Sequence, residues 1–130
     1  MKLPDELSAL LELALGDLRK SEIDDRYTVN MGVWHVPDVE GCSVCLAGSV
    51  LAHSLDVPID EPSGPSYVDD EIERKLEAID ELRLGNVLEA RRIMLFDDFA
   101  APDVARYDVD RDQFFADMEK LVVDLREAGL

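Results

Sequence analysis

The chain has 130 residues, 47% of them apolar, enough for one domain with a buried core that needs neither disulfides nor metals. Its 30 acidic and 13 basic residues leave a net charge of -17. With no basic patch to displace counterions, direct nucleic-acid binding is excluded, and no run of about 18 apolar residues is present to span a membrane.

The first segment, "MKLPDELSALLELALGDL", is leucine-rich, but Asp5, Glu6 and Glu12 interrupt it and no small-residue cleavage site follows. A helix is expected there rather than a secretion signal. The protein is expected to be cytoplasmic, with its two cysteines reduced. Pro4 suits the first helical position, and Asp5 and Glu6 suit the positive end of the helix dipole. Leu7, Leu10, Leu11, Ala14 and Leu18 mark one face, which Leu13 and Leu15 widen.

Between Tyr27 and Val33 apolar and polar residues alternate, which predicts a short extended segment near residues 27–34. Pro37 and Gly41 then turn the chain into a second helix, expected from Cys42 to Leu55. One face carries Val44, Gly48, Leu51 and Leu55 and another the small residues Cys45, Ser49 and Ala52, so it is expected at the centre of the fold with Trp34 and His35 as a lid. Three prolines mark residues 56–70 as a loop. A third helix is expected over 69–84, with Ile72, Leu76, Ile79 and Leu82 or Arg83 tracing its inner stripe, and a shorter one from the Asn86 cap through Phe96. The last helix has Asp110 and Gln113 as a capping box and Val109 and Phe114 as a hydrophobic staple. Phe114, Met118, Leu121, Val122 and Leu125 form its buried face, and Gly129 its stop. The fold class is therefore mostly α: a single compact helical domain over residues 1–130, with about five helices.

Two features invite chemistry. Cys42-x-x-Cys45 at a helix start matches the spacing of thioredoxin-like redox centres, but those follow a strand in a βαβ context, and here the preceding segment is broken by Pro and Gly. A cysteine hydrolase would need a histidine base, and His53 lies about 16 Å from Cys42 along a continuous helix, which leaves His35. A zinc site of His35, Cys42 and Cys45 fits the spacing; His53 does not join it. Asp108, Asp110, Asp112 and Glu119 sit at EF-hand positions for calcium, but Gln113 stands where the loop needs glycine, and a capping box explains the same residues. The plainer reading makes the cysteines small buried hydrophobes and places both histidines near carboxylates or the surface. No cofactor, metal or catalytic residue is assigned.

The stretch "YTVNMGVWHVPDVEGCSVCLAGSVLAHSL", Tyr27 to Leu55, resembles a segment of small bacterial and phage or prophage proteins, in which a Trp-His loop precedes a Cys-x-x-Cys-Leu-Ala-Gly helix. The resemblance covers about a quarter of the chain and carries no activity onto its residues. It implies a phage or mobile-element origin. The even spread of carboxylates and the scarcity of lysine suit a salt-rich cytoplasm. The expected function is that of a non-enzymatic acidic protein acting through protein–protein contacts with an unspecified partner, a homodimer included. The alternatives are an anionic mimic of nucleic acid that blocks a basic partner, and a thiol-dependent enzyme or redox protein using Cys42 with His35.

Overall fold

The computed structural model describes residues 3–31, 33–38, 41–60, 70–83 and 106–129. Helix α1 spans Leu7–Ile23 and precedes three short strands, β1 (Tyr27–Val29), β2 (His35–Asp38) and β3 (Gly41–Val44). Helix α2 (Leu46–Ser49) runs on as a π-helical turn, Val50–Ser54; α3 (Asp70–Arg83), α4 (Arg106–Val109) and α5 (Arg111–Glu127) follow. The described chain is thus mostly helical, with five α-helices and one small sheet. None of these helices is long and apolar enough to cross a membrane. The helix expected from Asn86 through Phe96 lies outside the described residues.

All five residues expected on the inner face of α1 are buried, and so is Leu15. The helix nevertheless begins at Leu7, later than Pro4 suggests. The reason lies in α3: the Lys75 ammonium donates to the Leu3 carbonyl at 3.0 Å and to Asp5 at 2.9 Å, holding both outside the first turn. That tie joins the start of the chain to α3, whose Leu76 and Ile79 are fully buried as the periodicity requires.

The helix expected from Cys42 is corrected by the structure. Gly41–Val44 is the central strand of the order β1-β3-β2, parallel to β1 and antiparallel to β2. Backbone partners on both sides make extended geometry the better solution: Cys42 N–H donates to the Arg26 carbonyl at 2.8 Å, and Asn30 N–H donates to the Val44 carbonyl at 2.8 Å. Gly41 allows this approach, since its φ is +152° and a Cβ there would lie 2.2 Å from the Arg26 carbonyl oxygen. Pro37, read as a turn, sits in β2, an edge strand that tolerates a missing N–H.

Helix α2 and its π-helical turn do occupy the centre, as expected. Every residue from Val44 through Ala52 is buried. Gly48 is what lets the helix sit there, because a Cβ at this position would fall 1.4 Å from the Trp34 carbonyl oxygen. Trp34 therefore does close over the helix, through its backbone, while its carbonyl accepts the Cys45 N–H at 3.3 Å.

In α5 the full expected inner face is buried, together with Phe115. Asp110 caps the helix, accepting the Gln113 N–H at 3.1 Å, and Gly129, at φ +80°, follows its last turn. The staple does not form: Val109 is 82% exposed. Tyr107 takes its place, with its ring edge-on to Phe114 at 5.4 Å.

Candidate functional site

The thiols come first. Cys42 lies within β3 and Cys45 at the N-cap of α2, so the residue at the helix start is the second cysteine of the pair. Thioredoxin-like chemistry places the first one there. Strand geometry sends the two to different surroundings. Cys42 packs with Val44, Ala52 and Tyr27, whereas Cys45 enters the main core, its sulfur accepting the Gly48 N–H at 3.4 Å. Both are thiols, 1% and 0% exposed.

His35 is fully buried rather than near the surface, because it stands opposite Val44 in the hairpin, one diagonal step from Cys42. The helix-based separation of Cys42 from His53 does not hold either, since β3 is extended and both residues border Tyr27. Among the described residues no three His, Cys, Asp or Glu side chains gather as a metal ion would need. The calcium-spaced residues are distributed over two helices: Asp108 in α4, Asp110 as the α5 cap, Asp112 paired with Arg111, and Glu119 paired with Arg19 of α1. One residue separates α4 from α5, which leaves no loop to wrap an ion.

A polar cluster that the sequence did not announce lies between α1 and the π-helical turn. Asp17 and Ser21 are buried on α1, facing Ser49, His53 and Ser54. Ser49 Oγ donates to the Cys45 carbonyl at 2.8 Å, which uses its only proton. Ser21 Oγ lies 3.0 Å from Ser49 Oγ and 3.2 Å from the Asp17 carbonyl, two acceptors for its one proton. His53 Nε2 stands 3.0 Å from Ser21 Oγ, and its donor or acceptor role follows the tautomer. A chain of hydrogen bonds thus links His53 through Ser21 and Ser49 to the Cys45 carbonyl.

Serine, histidine and aspartate are the residue types of a hydrolase triad, but a triad needs its aspartate bonded to the histidine and its serine open to substrate. Asp17 bonds Ser54 rather than His53, and Ser21 is fully buried. The cluster fastens α1 to the π-helical turn. Its trace in the sequence is the i, i+4 pair Asp17 and Ser21 cutting into an otherwise apolar stripe.

Burial lowers the His53 pKa below its ordinary 6.5, against the opposing pull of Asp17 and Asp24. The unfolded chain therefore takes up a proton first as the pH falls through 6.5. Stability is expected to drop from that point down to the folded pKa. His53→Gln, whose amide can donate to or accept from Ser21, is expected to flatten this loss in urea midpoints measured between about pH 7 and pH 5. Glu22 and Asp24 titrate lower. Burial alone would raise Glu22, but hydrogen bonds from Arg111 and Tyr107 hold it below its ordinary 4.5, and Arg26 holds Asp24 at about 2.

The remaining feature is the seam where α1 and α5 lie antiparallel. Three ion pairs cross it at successive levels: Glu12 with Arg126, Arg19 with Glu119 at 2.7 Å, and Glu22 with Arg111, bound side-on with one bond of 2.7 Å. Arg19 and Arg111 also lie over the Phe115 ring, 4.3 and 4.7 Å from its centre. Two shallow hollows of about 520 and 480 Å³ meet at Gly16 and Arg19. Val123, 49% exposed, lines one of them; Ile23, 85% exposed, lines the other. Compared with known proteins, the chain matches no family model, no curated protein and no solved structure.

Proposed function

We propose that this chain is a small accessory protein that acts through protein–protein contacts rather than catalysis, with the α1–α5 seam as its contact face. The phage or mobile-element origin implied by the Tyr27–Leu55 resemblance belongs to the same proposal. One observation carries it. The three seam pairs balance three acids against three bases on a chain of net charge -17. Carboxylates paired in this way, with exposed Val123 and Ile23 beside them, repel another acidic surface less than unpaired ones do and offer it apolar area. Buried thiols and a fully buried Ser21 favour contact over chemistry.

A photoreactive side chain placed at Ile23 in the cells that make the protein tests this reading. Illumination is expected to yield protein adducts at Ile23 and none at Arg74, an exposed position on α3. Adducts absent from Ile23, or equal at both positions, would remove the seam as the contact face.

A further inference from the structure

We infer that the partner on the α1–α5 seam is a second copy of this chain, docked with its twofold axis running along the seam; the inference rests on the contact-face reading above. The order of charges decides the orientation. Helix α1 presents acid, base and acid at Glu12, Arg19 and Glu22; α5 presents base, acid and base at the same levels, Arg126, Glu119 and Arg111. A twofold axis parallel to the helices lays α1 of one protomer over α5 of its partner, level on level. Every carboxylate then faces a guanidinium. An axis across the helices would instead set Glu12 against Glu22 and Arg126 against Arg111, like charge on like.

The same arrangement gives Gly16 a use. Within the chain it has none: a Cβ there would meet nothing within 4 Å, and glycine inside a helix costs about 1 kcal/mol relative to alanine. Gly16 lies between the levels of Glu12 and Arg19, and the α5 residues at that height are Val122 and Val123, the latter half-exposed in the same hollow. Docked along the seam, the partner's Val123 fills the space over Gly16.

Size and charge set the strength. Two helices about 25 Å long and about 10 Å wide present a footprint of roughly 500 Å², less than the roughly 800 Å² per partner of a standard interface. Two bodies of charge -17 also repel at long range. The dimer is therefore weak, with a Kd in the micromolar range, and tightens as salt screens the repulsion.

Sedimentation equilibrium of the purified chain from about 1 to about 100 µM tests this. The expected mass rises from 14.5 kDa toward twice that value with concentration. Gly16→Leu fills the hollow without touching the fold, and is expected to hold the mass at one chain while leaving the melting temperature unchanged or higher. Arg19→Glu is expected to weaken the dimer, and adding Glu119→Arg to restore it, because the swapped pair again faces its opposite across the axis. A one-chain mass throughout overturns the second-copy inference, as does a dimer indifferent to both Gly16→Leu and Arg19→Glu. If the mass stays at one chain while Ile23 still forms adducts with a different protein in cells, only this inference falls. If those adducts are absent too, the contact-face reading falls with it.

Discussion

Gly48→Ala is expected to remove most of the stability of the fold. The added Cβ would lie 1.4 Å from the Trp34 carbonyl oxygen and 2.4 Å from its carbon, both backbone atoms that no rotamer change can move. To relieve the clash, α2 must retreat from the Trp34 segment, breaking the hydrogen bond from Cys45 N–H to that carbonyl. Helix α2 is packed on every side, so its retreat opens the core between α1 and α3. A loss above about 4 kcal/mol is expected, against the roughly 5–15 kcal/mol that holds a domain of this size together. Thermal melting by circular dichroism reads it directly. The matched control is Gly16→Ala, the same substitution in an open helical site, expected to stabilise the monomer by about 0.5–1 kcal/mol. Opposite signs from one chemical change would separate a glycine required by close approach from one that the chain's own packing does not need. A Gly48→Ala variant melting within about 4 °C of the parent would show that α2 does not approach Trp34 this closely.

The second large effect concerns the thiols. Neither Cys42 nor Cys45 presents its sulfur to solvent, so alkylation must wait for the protein to open. If opening costs about 4 kcal/mol, native labelling is about a thousandfold slower than labelling in denaturant. The two should also differ from each other. Cys42 belongs to a small cluster under a three-stranded sheet whose strands are three or four residues long, whereas Cys45 sits in the main core. Cys42 is therefore expected to label first, through local opening, and Cys45 only on global unfolding. Mass spectrometry of the labelled peptides over time resolves the order. Rapid labelling of Cys42 alone near neutral pH would revive the thiol-dependent alternative, with His35 one diagonal step away as its partner.

Much of this protein was legible from spacing alone. The inner faces of α1, α3 and α5, the Asp110 cap and the Gly129 stop follow from side-chain repeats and end signals within a few residues, where helical geometry is decided locally. Wherever the deciding partner is distant, local reading fails. Cys42 through Val44 has the composition of a helix and becomes a strand, because Arg26, Asn30 and the β2 hairpin supply its backbone partners. Asp17 and Ser21 look like solvent-facing breaks in a stripe until the π-helical turn brings Ser49, His53 and Ser54 against them. The seam is the extreme case, joining side chains 89, 100 and 114 positions apart. Residue types and helical periods are properties of the chain itself. Strand pairing, the buried polar cluster and ion pairing across two helices exist only once the core has packed, because each depends on atoms that sequence distance leaves unrelated.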